Sequence, residues 1–178
     1  MKITLVRHAE VQEKYIGKYN GHIDIALSEN GKLQSKKLAK SLSHENFDKV
    51  YCSDLLRARQ TLEAFDLDCE IVFTCALREK SWGKHEGKSF EEIQKSGIVY
   101  ENFTQWVQAL DGEDIMLYTK DIENYFNNTI LKNDKNHILI LSHAGCIKSI
   151  LSLVNNISLE KAFSTSLAYS SSIHLDIK

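Results

Sequence analysis

Proline is absent from the chain, so glycine, asparagine, aspartate and serine must mark the boundaries of its helices and strands. Long apolar runs are absent as well: runs such as 138–141 fall far short of the roughly 20 residues that a membrane-spanning helix requires. The first residues lack the apolar stretch and small-residue cleavage site of a signal peptide. The sequence therefore predicts a cytoplasmic protein that does not associate with a membrane.

Paired cysteine spacing is missing too, since Cys52, Cys69, Cys75 and Cys146 do not follow the patterns of metal ribbons or redox motifs. Reduced and mostly buried thiols are the expectation. His143 and Cys146 could share a metal ion, but no second pair of ligands accompanies them. We therefore expect a protein without a bound metal or cofactor.

The chain also lacks a strong excess of one charge, because its formal net charge is −2. Such a chain has no general attraction for polyanions and needs a local basic patch to bind one. The sequence contains no such patch, which argues against nucleic acid as a partner.

The composition is that of one globular domain spanning 1–178, with 43% hydrophobic and 26% charged residues. Short apolar, β-branched runs alternate with segments whose apolar residues recur at helical spacing. This order predicts an α/β fold, a three-layer sandwich in which helices flank a largely parallel central sheet. The stretch 81–112 fits the alternation less well. It is predicted to be a helical segment covering one end of the sheet, either as a lid or as plain core.

Polar residues follow three of the predicted strands directly. Arg7 and His8 follow the first strand, the segment 53–57 follows the second, and Ser142-His143 follows a later one. Ligands of open α/β sheets bind outside the carboxyl ends of the strands. Parallel strands would therefore bring two imidazoles and the guanidiniums of Arg7 and Arg57 to one edge of the sheet.

This set of side chains suits a phosphoryl group. Arginine offers a planar fork of donors for phosphate oxygens, and a neutral imidazole supplies a nucleophilic nitrogen. A second imidazole, if protonated, would stabilise charge on the transferring group. Alone, His8 and His143 would each be interpreted as an ordinary strand-end histidine. Their predicted proximity to Arg7 and Arg57 favours a catalytic role instead. His44, His137 and His174 lack such company and are interpreted as solvated or structural, whereas His22 and His85 are placed near the edge.

Arg57 lies in the first turn of a helix that Ser53 or Asp54 is predicted to cap. A cation at a helix N-terminus costs roughly 0.3–1 kcal/mol unless an anion offsets it, and a bound phosphate would do so. The alternative is an ordinary surface ion pair between Arg57 and Asp54 or another carboxylate.

Three segments carry a resemblance to a known family. Residues 5–10 (LVRHAE), 53–61 (SDLLRARQT) and 142–145 (SHAG) resemble the R-H-G-E, S-x-L-x-R-A-x-Q-T and S-H-G/A-G segments of the histidine phosphatase superfamily, the phosphoglycerate mutase-like enzymes. The resemblance implies that His8 accepts the phosphoryl group. It also implies a catalytic His143 and a phosphate site formed by Arg7, Arg57, His143 and Ala144.

Further positions follow from the same resemblance. Residues 77–79 with Trp82-Gly83 and Glu86-Gly87 resemble the stretch that supplies the general acid, which maps to Glu79. On spacing alone, Glu79 could equally pair with Arg78 or Lys80 on a loop surface. Lys14 stands where the family has an asparagine, and residues 21–31 resemble a segment of the mutases and alpha-ribazole phosphatases. Lys14, Gly21 and His22 are therefore predicted to contact substrate.

The resemblance implies a metal-independent phosphatase that acts on a small-molecule phosphate ester through a phosphohistidine intermediate. Alpha-ribazole 5'-phosphate is the leading substrate, because small members with the 21–31 segment include alpha-ribazole phosphatases. The alternatives are mutase-type activity, a phosphoprotein (phosphohistidine) phosphatase, or a non-catalytic module that only binds phosphate. The last has no use for an acid at position 79. The oligomeric state stays open.

Overall fold

The computed structural model describes residues 1–177, and within them one sheet of five strands organises the chain. The strands lie in the order β3-β2-β4-β1-β5. β1 to β4 run parallel to one another, whereas β5 pairs with β1 in the antiparallel sense. The predicted α/β fold with a largely parallel sheet is thereby confirmed. The strands are β1 Lys2–Arg7, β2 Lys49–Ser53, β3 Glu70–Thr74, β4 His137–Ser142 and β5 Ser172–Asp176.

The helices cover both faces of this sheet. They are α1 Glu29–Ser41, α2 Leu56–Leu62, α3 Phe90–Gln94, α4 Phe103–Ala109, α5 Ile115–Tyr125, α6 Ala144–Val154 and α7 Leu159–Ser164. Over residues 1–177, no helix combines the length and the apolar character needed to cross a bilayer.

The central strand β4 shows how the three layers form. Its side chains alternate across the sheet, as a strand requires, and its four apolar residues are fully buried. Ile138 and Ile140 pack in the apolar cluster that contains residues of α4, α5 and α6. Leu139 and Leu141 pack in the opposite cluster with residues of α1 and α2. A continuous apolar run is needed here because both faces of β4 are covered.

Two helices are capped by the residue that precedes them, and a third is not. Ser28 caps α1 by accepting a hydrogen bond from the Gly31 amide at 2.9 Å. Asp114 caps α5 through the amides of Met116 and Leu117. The prediction that Ser53 or Asp54 caps α2 is wrong.

The first turn of α2 is capped from a distant part of the chain. Leu56, the first helical residue, donates its amide hydrogen to Oδ1 of Asp24 at 2.7 Å. Asp54 is unavailable because both of its oxygens accept hydrogen bonds from Arg78, at 2.7 and 2.6 Å. A side chain 32 residues away can cap a helix only once the fold has formed, so local sequence could not reveal it.

The stretch 81–112 contains α3 and α4. Its residues Ile93, Trp106, Val107 and Leu110 are buried in the core. Most apolar side chains of this segment therefore pack into the core, and Trp82 near its start lines the functional site.

His137 begins β4 and His174 lies in the middle of β5, so neither is at the strand ends that carry His8 and His143. Thr4 Oγ1 lies 3.0 Å from Nε2 of His137 and 3.1 Å from Nδ1 of His174. Nε2 of His137 also lies 3.2 Å from Glu45 Oε2. These contacts make both histidines part of a structural polar cluster.

Candidate active site

The parallel strands bring the predicted polar residues to one edge of the sheet. Arg7 ends β1 and His8 follows it, whereas His143 follows β4 and is the N-cap of α6. The imidazole centroids of His8 and His143 lie 5.0 Å apart. Arg57 reaches the same place from the first turn of α2, with its Nε 3.2 Å from Nδ1 of His143.

The tautomer of His8 follows from its hydrogen bond to the backbone. Nδ1 lies 2.8 Å from the carbonyl oxygen of Ala9, and because a carbonyl only accepts, Nδ1 must carry the hydrogen. Nε2 is then left with a free lone pair. The neighbouring Ala9 amide donates to Thr61 Oγ1 at 2.9 Å, which fixes the turn after β1 against α2. His8 is thus held as a neutral imidazole with a nucleophilic nitrogen.

His143 joins Arg57 to the end of β2. Its Nδ1 accepts a hydrogen bond from Nε of Arg57, so Nε2 carries the hydrogen and donates to Ser53 Oγ at 2.8 Å. The ring is fully buried. This arrangement favours a neutral imidazole that orients Arg57, so the role that a protonated second imidazole would have does not apply to His143.

Arg57 is almost fully buried, with 1% of its surface exposed. Its guanidinium donates to the carbonyl oxygens of Asn20, Gly21 and Ile23 at 2.7 to 3.1 Å, in addition to His143. The alternative interpretation, a surface ion pair with Asp54, is wrong because Arg57 is buried and Asp54 pairs with Arg78. Burial lowers the pKa of Arg57, and the nearby carboxylates of Glu79, Glu86 and Asp24 oppose that effect.

Arg7 is held by the segment that leads into β5. Its Nη1 donates to the carbonyl oxygen of Leu167, and its Cζ lies 4.0 Å from the centre of the Tyr169 ring. A guanidinium stacked on an aromatic face gains cation–π attraction as well as a fixed plane. The Tyr169 ring also lies 5.5 Å from that of His8, so one tyrosine contacts both groups.

Glu79 is fixed between two backbone amides. Oε2 accepts a hydrogen bond from the Gly145 amide at 3.0 Å, and Oε1 accepts from the Lys80 amide at 3.1 Å. A side chain at Gly145 would overlap Oε1 of Glu79, which explains the glycine. Glu79 therefore does not pair with Arg78 or Lys80 as a surface residue.

A cavity of about 180 Å³ lies at this edge of the sheet, and the buried Arg57 and His143 are not among the residues that line it. Of the residues predicted to act on substrate, Arg7, His8, Glu79 and Ala144 line it. The other lining residues are Lys18, Tyr19, Asn20, Trp82 and Tyr169.

The three predicted substrate contacts lie outside this lining. Lys14 is exposed in the single turn Glu13–Tyr15, with its ammonium over the Tyr15 ring. Gly21 is buried beneath the wall, and the His22 ring lies 3.6 Å from Glu113. Lys18 and Asn20, which follow the turn at 13–15, line the cavity wall instead.

Comparison with known proteins places this site in a family. The model of the histidine phosphatase superfamily (branch 1) matches residues 3–178. The chain belongs to the histidine phosphatase superfamily. It is 31% identical over 159 residues to the adenosylcobalamin/alpha-ribazole phosphatase of Salmonella typhimurium, covering 85% of this chain and 78% of that protein. It is 28% identical over 188 residues to phosphoserine phosphatase 1 of Hydrogenobacter thermophilus, covering 99% and 87%.

The solved structure of the alpha-ribazole phosphatase from Shigella flexneri has the same fold. It superposes with a TM-score of 0.86 at 24% identity, covering all of this chain and 91% of that one. The family match and the phosphatase relatives, and not the shared fold, make the chain a phosphoric monoester hydrolase.

One lining residue of this histidine phosphatase, Tyr169, could not be predicted from the sequence for a topological reason. Residues that directly follow a strand reach this edge only where the strand runs parallel to its neighbours. β5 is antiparallel, so the segment before it, with Tyr169, lies at the active edge. The available signal was Tyr169, shortly before a final strand with alternating apolar residues. It points to this site only if the direction of β5 is known.

A zinc site shared by His143 and Cys146 is not supported. Both nitrogens of His143 are already bonded, and burial raises the pKa of the Cys146 thiol to about 12. Across residues 1–177, no group of three or more metal-ligating side chains is arranged to hold a metal ion.

His8 and His143 both resist protonation in the folded protein. Burial lowers the pKa of His8 and of His143 well below the ordinary 6.5, and the positive charges of Arg57 and Arg7 lower both further. The folded protein therefore holds both imidazoles in the neutral form.

This low pKa predicts loss of stability in acid. Below pH 6.5 these two histidines bind protons in the unfolded chain but not in the folded chain. The free energy of unfolding therefore falls by up to about 1.4 kcal/mol per pH unit for each histidine as the pH is lowered. Denaturant unfolding from pH 7.5 to 5.0 should show a shallower loss in His8→Gln than in wild type. His44→Gln, at an exposed position, is the control. Equal slopes in wild type and His8→Gln would contradict the buried, neutral state of His8.

Proposed function

We propose that this phosphatase transfers the phosphoryl group of a small phosphate ester to Nε2 of His8 and then to water, without a metal ion. The supporting observation is the hydrogen bond from His8 Nδ1 to Ala9, which leaves Nε2 unprotonated beside Arg7 and Glu79 in one cavity.

The first step forms a bond between Nε2 of His8 and phosphorus while the ester P–O bond breaks. The departing oxygen takes a proton from protonated Glu79, which becomes a carboxylate. In the second step that carboxylate takes a proton from water, the water oxygen bonds to phosphorus, and the N–P bond breaks. Inorganic phosphate leaves, and both residues return to their starting forms.

Positive charge for the transferring group comes from Arg7 and Arg57. Arg7 lines the cavity, and Arg57 lies directly behind it against His143. In other phosphoryl-transfer sites much of this charge comes from Mg²⁺. The Ala144 backbone, at the start of α6, adds the positive end of a helix to the same wall.

The walls of the cavity bear on the choice of substrate. Tyr19, Trp82 and Tyr169 give it aromatic surfaces, which favours an ester with a flat aromatic group, as in alpha-ribazole 5'-phosphate. A second candidate has its own support: Lys18 also lines the cavity and would attract a carboxylate such as that of phosphoserine. The presence of Glu79 at the cavity disfavours a module that only binds phosphate.

The phosphohistidine step predicts an acid-labile intermediate. Brief reaction of wild type with labelled substrate, with EDTA present, should leave phosphate on the protein with the acid lability of a phosphoramidate. His8→Ala should lose both label and turnover, because no other neutral imidazole lines the cavity within residues 1–177. Label that survives acid or the His8→Ala change, or a strict requirement for added metal, would overturn the proposal.

The role of Glu79 predicts a dependence on the leaving group. An alkoxide needs a proton in the transition state, which is worth roughly 10²–10⁴-fold, whereas a nitrophenolate leaves unaided. Glu79→Gln should slow single-turnover phosphorylation of His8 by alkyl phosphates far more than by nitrophenyl phosphate.

If both ester types lose the same factor, Glu79 is not the acid. Two other carboxylates near this edge of the sheet, Glu10 and Glu86, could be proposed as the acid, but neither lines the cavity. Glu10 is bonded to Ser28 and Asn30, and Glu86 to backbone amides.

A panel of phosphate esters decides between the substrate candidates. We expect the highest kcat/KM for alpha-ribazole 5'-phosphate, and Trp82→Leu should lower it by up to about tenfold through lost aromatic contact. Lys18→Met should leave that substrate nearly unaffected. A preference of the wild type for phosphoserine that Lys18→Met removes would instead establish the second candidate.

A further inference from the structure

Glu86 lies outside the cavity lining, yet its carboxylate is the centre of a dense hydrogen-bond network. Oε1 accepts from the amides of His22 and Trp82, both at 2.9 Å. Oε2 accepts from the amides of Gly21 and Ile23 at 3.0 and 3.1 Å. One side chain therefore fixes three consecutive peptide units of the segment 21–23 and the start of the covering stretch.

The carbonyl groups of the same segment hold Arg57. Asn20 and Gly21 accept from Nη2 at 3.1 and 2.7 Å, and Ile23 accepts from Nη1 at 2.9 Å. Residues 20–23 belong to neither a helix nor a strand, so no regular backbone ladder fixes their direction. The amides of residues 21–23 donate to Glu86, and the carbonyl oxygens of Asn20, Gly21 and Ile23 accept from Arg57.

The segment is also packed closely against Glu86. A side chain at Gly21 would overlap Oε1 of Glu86 and the carbonyl oxygen of Lys80. This contact accounts for the glycine that the sequence had placed in a substrate site. The negative charge of Glu86 also partly offsets the burial of the Arg57 guanidinium, after the larger contribution of Glu79.

We infer that Glu86 is a positioning residue: it orients the backbone of residues 20–23, and through those carbonyl oxygens it aims the buried guanidinium of Arg57 at the phosphoryl group. The inference rests on the proposed function in one respect, that Arg57 binds the phosphoryl group. It assigns Glu86 no contact with substrate.

The test is a double-mutant cycle on oxyanion binding, with vanadate as the probe. Glu86→Gln replaces an acceptor oxygen by an NH₂ group that faces backbone amide hydrogens, which leaves buried donors without partners. Arg57→Lys keeps the charge but loses the fork that contacts the three carbonyl groups. Vanadate affinity is measured by calorimetry for wild type, both single variants and the double variant.

If Glu86 acts through Arg57, Glu86→Gln weakens vanadate binding about tenfold in the wild-type background, a loss typical of an unsatisfied buried donor. In the Arg57→Lys background the same change should cost less than about twofold, because residues that act as a unit are not additive. Glu91→Gln, at an exposed position of α3, is the matched control and should leave the affinity unchanged.

Equal losses in both backgrounds would mean that Glu86 only supports the fold, and no loss in the wild-type background would also overturn the inference. Should Glu86→Gln not fold, as shown by its thermal unfolding midpoint, Glu86→Asp takes its place. Its shorter carboxylate cannot reach all four amides and should give the same pattern. Because binding needs no turnover, coupling in a protein that hydrolyses no ester would refute the proposed function alone. A wild type that binds no vanadate overturns the inference.

Discussion

The burial of the Arg57 guanidinium constrains the backbone around the candidate active site. A buried charge is costly unless its donors are satisfied, and here they are satisfied by backbone carbonyl groups and one imidazole. This choice ties together α2, the irregular segment 20–23 and the N-cap of α6. The position of each of these parts depends on the others, because removing any one leaves a buried donor without an acceptor.

Burial and the same charge keep both histidines neutral. Burial lowers the pKa of each imidazole most, and the two guanidiniums nearby lower it further. For His8 this leaves a lone pair on Nε2. For His143 it leaves one nitrogen free to accept from Arg57 and the other to donate to Ser53. The same neutral state therefore suits two imidazoles with opposite hydrogen-bonding needs.

Two layers of residues can be distinguished around the cavity. Arg7, His8 and Glu79 face it, and each is fixed by a backbone group or by Tyr169. Behind them, Thr61 fixes the turn that follows His8, Ser53 bonds His143, and the carbonyl groups of 20–23, whose backbone Glu86 holds, bond Arg57. Reacting groups must be held to within a fraction of an ångström, which explains why so many short hydrogen bonds lie behind a small cavity.

The sequence by itself determined the fold class and the alternation of strands and helices along the chain. It also determined the convergence of Arg7, His8, Arg57 and His143. Apolar runs of strand length alternating with helical periodicity suffice for this, because parallel strands all end at one edge. Tertiary structure alone decided the cap of α2 by Asp24, the neutral state of His143 and the replacement of Lys14 by Lys18 and Asn20 at the wall. It also decided that Tyr169 contacts Arg7, because the alternation of apolar and polar residues in β5 does not show in which direction the strand runs. These features depend on contacts between residues far apart in the chain, whose directions no local periodicity encodes.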